Sequence, residues 1–195
     1  MTLPLTRENR DKVWTYEDYL QLPEDGNRYE IIEGVLYVSP TPFTVHQLLS
    51  RRLLFVFYEM ERRGEGYIYN APTGLKLDGG NPVEPDLIFL RADQRHQIKR
   101  KYILGPPHLV VEILSPGTAR LDRVKKMRLY AKNRIPHYWL LDPDSKVLEV
   151  LKLGEQHYSL EATLESGDHY ESPDFPGLHL DLSQLFEDMP GEDED

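Results

Sequence analysis

The stretch LVVEILSP, residues 109–116, places a single glutamate inside an otherwise apolar run. β-branched residues that lead up to a proline are typical of a strand covered on both faces, as in the centre of a mixed or parallel sheet. A carboxylate in such a strand is costly to bury, so it must find a partner or take up a proton. We therefore expect Glu112 to face a cation or another polar group inside the fold.

Length and composition set the class of the protein. The chain has 195 residues, of which 39% are hydrophobic and 29% charged, and this suits one globular domain, which we assign to residues 1–190. We expect the acidic tail GEDED, residues 191–195, to be disordered. The absence of cysteine leaves only oxygen or histidine ligands for a metal. No apolar run is long enough for a membrane span and no signal-peptide core is present, so we expect a cytoplasmic protein without a membrane partner.

Charge is unevenly distributed along the chain. The net charge is −10, which argues against a generic nucleic-acid binder. Between Arg91 and Arg134, however, twelve Lys or Arg face only three acids, so this window carries +9 and the remainder −19. A basic segment of this kind can bind a polyanion locally, although a solvated helix face gives the same pattern.

Strand and helix patterns alternate along the sequence. The predicted segments are a short helix at 15–23, a hairpin at 28–40, a long helix at 44–63, strands at 85–90 and 109–114, a helix at 118–133, and a strand pair at 135–142 and 146–153. In the helix at 118–133 the residues predicted to face inward are Leu121, Val124, Met127 and Ala131. This order indicates an α/β (α+β) fold with a central mixed β-sheet flanked by helices and extended by β-hairpins.

Asp86 raises the same question as Glu112, because it begins the apolar strand DLIFL. If the strands at 86–90 and 109–114 are neighbours, Asp86 and Glu112 meet at one point of the sheet. Two carboxylates brought together raise each other's pKa unless a cation lies between them. Mg²⁺ suits such a site, because it binds one or two protein carboxylates and fills its other positions with water and substrate phosphate.

The next helix carries Asp122, Lys126 and Tyr130 at intervals of four residues, so these side chains share one helix face. A lysine beside a metal-activated water can orient that water or stabilise developing negative charge. The alternative is an exposed i,i+4 ion pair between Asp122 and Lys126, which would contribute only a few tenths of a kcal/mol. Tyr130 is interpreted as a packing residue.

Three segments together resemble a known family. They are RYEIIEGVLYVSPTPFTVHQ, VEPDLIFL and PPHLVVEILSPGTARLDRVKKMRLYAKNRIPHYWLLDP. In this order they resemble the Uma-type family of restriction endonucleases, which belongs to the PD-(D/E)xK nuclease superfamily. The resemblance covers nearly the whole chain and implies a restriction-endonuclease-like core.

The resemblance implies a metal site at matching positions. Pro85-Asp86 matches the PD element, whose aspartate is a metal ligand. Glu112 matches the acidic residue of the (D/E)xK element, also a metal ligand, and the main-chain carbonyl of Ile113 is a third candidate ligand. Mg²⁺ is the expected ion, with Mn²⁺ as an alternative.

The lysine of the (D/E)xK element is replaced here by Leu114. In the family the lysine lies instead on the following helix, where Lys126 matches it, with Lys125 as the second candidate. Glu30 matches an early glutamate of the family that can approach the metal. Asp122 is expected to support Lys126.

The resemblance also implies a DNA substrate and a homodimer. His46 matches a family histidine that contacts substrate or positions the acidic residues, although a structural histidine is an equal alternative. We expect Arg120, Arg123 and Lys125 to bind flanking phosphates, which would give salt-dependent and largely sequence-independent affinity.

Three other functions remain open. A nuclease fold that binds nucleic acid without cutting it would be consistent with Leu114 and the net negative charge. A metal-dependent phosphoesterase for a small molecule would have an enclosed pocket instead of a groove. A purely structural protein would keep Asp86 and Glu112 apart or pair them with arginines.

Overall fold

The computed structural model describes residues 12–23, 25–39, 41–77 and 82–190, and the acidic tail lies outside these ranges. The helices in them are α1 (Tyr16–Tyr19), α2 (Thr44–Arg62), α3 (Met127–Lys132) and α4 (Leu182–Phe186). The strands are β1 (Arg28–Ile32), β2 (Val35–Ser39), β3 (Gly66–Asn70), β4 (Leu75–Lys76), β5 (Leu87–Arg91), β6 (Ile103–Leu104), β7 (Leu109–Ile113), β8 (His137–Asp142), β9 (Val147–Leu153), β10 (Tyr158–Leu164), β11 (His169–Ser172) and β12 (Phe175–Asp181). A 3₁₀ helix (Ala92–Gln97) follows β5, and a π-helical segment (Leu121–Lys126) precedes α3.

Six strands form the central sheet in the order β10-β9-β8-β7-β5-β3. β7 and β8 run parallel, and the other neighbouring pairs run antiparallel, so the predicted mixed sheet is confirmed. Two-stranded sheets of β1-β2, β4-β6 and β11-β12 accompany it. The β1-β2 hairpin turns at Glu33 and Gly34, both with positive φ, which is the conformation that a tight two-residue hairpin turn requires.

Each face of the central sheet is covered by its own hydrophobic cluster. On one face, Leu53 and Phe57 of α2 cluster with Val111 of β7 and Trp139 of β8. On the other face, Val110 of β7 lies in a cluster that includes Ile88, Tyr138, Leu140 and Tyr130 of α3. Because β7 is covered on both sides, every one of its residues is buried, as its nearly continuous apolar sequence predicts.

The register between β5 and β7 brings the two key carboxylates together. Leu87 pairs with Val111, so the same register places Asp86, the residue before β5, opposite Glu112. Residues directly opposed in an antiparallel pair point to the same face of the sheet. The backbone N–H of Ile113 donates to Oδ2 of Asp86 at 2.7 Å and fixes this end of the pairing.

The helix after β7 differs from its prediction. It consists of the π-helical segment followed by α3, and its buried residues are Asp122, Lys126, Tyr130 and Ala131. Of the residues predicted to face inward, Ala131 is buried, Leu121 and Met127 are partly buried and pack against the core, and Val124 is partly buried. The polar stripe is buried as well, because Glu112 projects from the sheet on this side and requires polar partners.

Candidate metal and catalytic site

Glu112 lies near the end of β7 with 1% of its surface exposed. Its Oε1 accepts hydrogen bonds from Nζ of Lys126 at 3.0 Å and from the hydroxyl of Tyr130 at 2.7 Å. Its Oε2 is buried and accepts no hydrogen bond from the described residues. Burial raises the pKa of Glu112 above its usual range, and the charges of Asp122 and Asp86 add to this shift although Lys126 opposes it. One oxygen of Glu112 is therefore open to a further ligand.

Lys126 is completely buried among three carboxylates. Its Nζ lies 3.0 Å from Oε1 of Glu112, 3.1 Å from Oε1 of Glu30 and 3.3 Å from Oδ1 of Asp122. Burial alone would lower the pKa of this lysine, but the three carboxylates outweigh burial and raise it above its ordinary value. Lys126 therefore carries its positive charge inside the protein, and the interpretation of Asp122 and Lys126 as an exposed ion pair is wrong.

Asp86 is held by three donors. Its Oδ2 accepts from the backbone N–H of Ile113 and, at 3.1 Å, from Nε2 of His46, while its Oδ1 accepts from Arg28 at 2.9 Å. Burial raises the pKa of a carboxyl, but the hydrogen bond from His46 and the charge of Arg28 hold the pKa of Asp86 far below its usual range. Asp86 is therefore ionised and fixed in orientation at neutral pH.

Glu30 reaches the same point from β1, which lies outside the central sheet. Its Oε1 accepts the backbone N–H of Glu84 at 3.0 Å, and its Oε2 is 3.4 Å from Arg28. Burial opposes ionisation, yet the charges of Lys126 and Arg28 lower the pKa of Glu30. The β1-β2 hairpin thus contributes Glu30 as one of the three carboxylates that surround Lys126.

Two cationic side chains, Arg28 and Lys126, form ion pairs with four buried carboxylates. We call these carboxylates the acidic cluster; they are Glu30, Asp86, Glu112 and Asp122. When all four are ionised, two negative charges remain without a cationic partner. The donors are oxygens, and Oε2 of Glu112 accepts no hydrogen bond from the part of the chain that the structure describes. This surplus charge and donor set fit an oxygen-seeking divalent cation such as Mg²⁺ or Mn²⁺.

A pocket of about 220 Å³ opens beside Asp86. Arg28, His46, Asp86 and Asp122 are among the polar residues that line it, and Leu114 is among the apolar ones. A group that enters this pocket therefore lies next to Asp86 and Asp122 of the acidic cluster.

Comparison with known proteins places the chain in a family. Residues 16–183 match the family described as "Uma2: Putative restriction endonuclease". The chain belongs to this family. A relative with 32% identity over 133 residues is the uncharacterized protein slr1290 of Synechocystis sp. (strain ATCC 27184 / PCC 6803 / Kazusa); the match covers 67% of this chain and 69% of that protein. The resemblance inferred from the motifs is therefore confirmed.

A solved structure shares the fold. It is described as that of "a putative nuclease belonging to DUF820 from Anabaena variabilis ATCC 29413". The TM-score is 0.72 at 22% sequence identity, and the match covers 89% of this chain and 97% of the other. The predicted restriction-endonuclease-like architecture thus agrees with a neighbour described as a nuclease. Across the described ranges, no helix has both the length and the hydropathy to cross a membrane.

Leu114 and the two candidate lysines of the following helix differ in their surroundings. Leu114 is buried in the cluster with Val110 and Ile88 and supplies no charge. Lys126 brings its ammonium to Glu112 from the helix, whereas its neighbour Lys125 is exposed. Between the two candidate lysines, only Lys126 contacts the acidic cluster.

The predicted phosphate-binding residues divide into two kinds. Arg120 and Lys125 are exposed. Arg123 instead forms an ion pair with Glu149 of β9 and lies 4.0 Å from Asp142. Arg123 is therefore already paired with acidic residues of β8 and β9. None of the three residues is among those that line the pocket.

The sequence prediction missed two residues of the site. Arg28 bridges Asp86 and Glu30, and its position two residues before Glu30 on β1 was the available signal, because alternate residues of a strand share a face. The sequence predicts Tyr130 to be a packing residue, but its hydroxyl donates to Glu112. Its place on the Asp122 and Lys126 face of the helix indicated this contact.

A second group of potential ligands lies elsewhere in the described part of the chain. His137, Glu161 and Asp174 bring one ligand atom each within 4.8 Å of one another. Lys152 already pairs with Asp174 Oδ2 at 2.5 Å, and Glu161 is exposed. His137 lies at the start of β8, whereas Glu112 pairs with Leu140 further along that strand. We assign no function to this second group.

Proposed function

We propose that this Uma2 member is a divalent-metal-dependent endonuclease that hydrolyses phosphodiester bonds of DNA. The observation that carries the proposal is the convergence of Asp86, Glu112 and Lys126 on one buried point beside a pocket. The family description and the shared fold support a nuclease. The surplus negative charge of the acidic cluster supports a metal.

In this proposal Asp86 and Glu112 hold the metal, and the main-chain carbonyl of Ile113 is a third ligand. When bound, Mg²⁺ or Mn²⁺ polarises a phosphate oxygen and lowers the pKa of the attacking water. Glu112 must be ionised to take part, so its raised pKa means that binding displaces a proton. Asp86 is ionised beforehand by Arg28 and His46.

Lys126 is the proposed catalytic lysine. Its ammonium is compact and has three donors, so it can orient the attacking water or neutralise charge that develops on the phosphate. Glu30 and Asp122 hold the ammonium from two further sides. Tyr130 fixes the bound oxygen of Glu112, which leaves Oε2 directed to another partner.

The flanking phosphates would be bound by the exposed Arg120 and Lys125. We do not assign this role to Arg123, because its charge is already paired with Glu149 and Asp142. We also propose a homodimer, since two symmetry-related sites can cut both strands of a duplex. Light scattering of the purified protein would test the dimer independently of activity.

Cleavage of supercoiled plasmid and of single-stranded DNA with Mg²⁺ or Mn²⁺ tests the proposal. We expect metal-dependent cleavage by the wild type and its loss in Glu112→Gln and Lys126→Ala. Retained cleavage in Lys126→Ala would refute the role of that lysine. A wild type that binds metal but cuts no DNA would favour the alternative of a nuclease fold that binds nucleic acid without cutting it.

The pocket is the specific observation that favours a second function, a metal-dependent phosphoesterase acting on a small molecule. The same assay distinguishes the two with bis(p-nitrophenyl) phosphate as a small diester. If the protein hydrolyses this diester but leaves DNA uncut, the phosphoesterase is the better assignment.

A further inference from the structure

The pocket beside Asp86 is lined by both polar and apolar residues. Arg28, His46, Asp86 and Asp122 contribute charged and polar groups, whereas Pro42, Phe43, Leu114 and Pro116 contribute apolar surface. A volume of about 220 Å³ is smaller than the roughly 300–1,000 Å³ of pockets that hold drug-sized ligands. The pocket therefore has room for one small, largely apolar group next to the reacting phosphate.

Phe43 lies at the edge of this pocket and is 68% exposed. It occupies the position before the first turn of α2, where no side chain caps the helix and the first turn has no acidic residue. An exposed aromatic ring at a pocket is costly to leave in water and offers a flat face for stacking. Successive bases of single-stranded nucleic acids bind to aromatic side chains in this way.

Arg28 is committed to Asp86 and Glu30, and the lining includes the acids Asp86, Asp122 and Asp144. The pocket therefore suits an uncharged group such as a base better than a phosphate. Bases in a duplex are stacked and paired, so none can enter a cavity without being extruded at a cost of a few kcal/mol, and this cost is least for unpaired bases.

We infer that the pocket receives the base of one unpaired nucleotide adjacent to the scissile phosphate, so that the preferred substrate is single-stranded or locally unpaired DNA. This inference rests on the proposed nuclease function. The base stacks on Phe43 beside the apolar residues of the lining, while the phosphate faces Asp86 and the metal that the acidic cluster would hold. Selectivity for unpaired DNA then comes from the shape of the pocket and not from base-specific hydrogen bonds.

Binding of fluorescein-labelled oligonucleotides, measured by anisotropy with Ca²⁺ in place of Mg²⁺, tests the inference without requiring cleavage. The probes are a short single strand, the same sequence as a blunt duplex, and the single strand with abasic sites. The variants are Phe43→Ala and Phe55→Ala. Phe55 is a matched control, because it is another exposed phenylalanine (64%), on α2 itself, and lies outside this pocket.

We expect the single strand to bind roughly tenfold more tightly than the duplex, and Phe43→Ala to weaken single-strand binding roughly tenfold. Phe55→Ala should change nothing, and abasic sites should remove the effect of Phe43→Ala. Equal binding of single strand and duplex, or unchanged binding by Phe43→Ala, would overturn the inference. Cleavage assays on the same samples separate the two proposals: stacking without cleavage refutes the nuclease, and cleavage without any effect of Phe43 refutes the pocket's role.

Discussion

Nζ of Lys126 lies 3.0 Å from Oε1 of Glu112, and neither side chain exposes more than 1% of its surface. A buried ion pair of this kind contributes little net stability compared with apolar residues, but the removal of one partner leaves an uncompensated charge. Here the imbalance is larger, because Glu30 and Asp122 share the same ammonium. The site therefore depends on Lys126 for its folding as well as for its proposed chemistry.

Lys126→Met should destabilise the metal-free protein by about 3–5 kcal/mol, because the buried carboxyl groups of Glu30, Glu112 and Asp122 lose their common partner and the charge of Glu30 loses a buried cation. Methionine keeps the length of the side chain, so the effect reports the charge and not a cavity. Urea unfolding in EDTA measures it. Lys125→Met is the matched control at an exposed neighbour and should change stability by less than about 0.5 kcal/mol; similar losses in both variants would contradict the central position of Lys126.

Glu112→Gln should change the pH dependence of stability in EDTA. The folded pKa of Glu112 is raised above its ordinary value of 4.5, so the folded state holds a proton that the unfolded state has released. Stability therefore falls as pH rises from about 4.5 towards the folded pKa, by at most about 1.4 kcal/mol per pH unit. Glutamine remains neutral, so the variant should gain stability relative to wild type between pH 5 and pH 8.

Urea unfolding at several pH values tests this difference, with Glu155→Gln as a control at an exposed glutamate. If the difference in free energy of unfolding between wild type and Glu112→Gln does not change with pH across this range, the pKa of Glu112 is not raised by folding.

Much of the site followed from local patterns in the sequence. The charge in LVVEILSP and the acidic start of DLIFL identified Glu112 and Asp86, because a carboxylate in a buried strand requires a partner. The four-residue spacing of Asp122 and Lys126 placed both on one helix face. The burial of this polar face could not be predicted, since normally only an apolar stripe turns inward, whereas here Glu112 draws Asp122 and Lys126 into the interior as well.

The remaining contacts depend on tertiary structure. His46 donates to Asp86 from a different element, and β1 delivers Arg28 and Glu30 from outside the central sheet. No periodicity links these segments to β7. The ion pair between Arg123 and Glu149 likewise arises only because β9 passes beside the helix, so a basic run in the sequence overstated the positive charge available for DNA.

His46→Ala should weaken metal binding by about 10–100-fold, the usual effect of removing a group that orients a metal ligand. Nε2 of His46 donates to Oδ2 of Asp86, so its loss removes one of the three donors that orient this carboxylate. Calorimetric titration with Mn²⁺ measures the affinity, and His179→Ala, at an exposed histidine, is the control. Unchanged affinity in His46→Ala would assign His46 a role in contacting substrate instead.

Arg120→Ala and Lys125→Ala should each lower the salt dependence of DNA binding, reducing the slope of log K against log salt by about one. Arg123→Ala should leave the slope unchanged, because its charge is already neutralised by Glu149 and Asp142. Anisotropy at several salt concentrations compares the three variants. A reduced slope in Arg123→Ala alone would show that the ion pair opens on DNA binding.

His137→Gln should reduce the acid sensitivity of the fold. Burial, together with the nearby His108, lowers the pKa of His137 from 6.5 to about 4. The unfolded state therefore takes up a proton first as pH falls, so stability is lost between about pH 6.5 and pH 4. Urea unfolding across this range should give a shallower decline in His137→Gln than in wild type, whereas His157→Gln, at an exposed position, should match wild type.

Anomalous diffraction from crystals grown with Mn²⁺ tests the central claim most directly, because it locates the ion without any assay of activity. We expect a peak between Asp86 and Glu112, within about 2.0–2.6 Å of a carboxylate oxygen of each, that is absent in Glu112→Gln. A peak at His137, Glu161 and Asp174 instead, or no peak at the acidic cluster at saturating Mn²⁺, would contradict the proposed metal site.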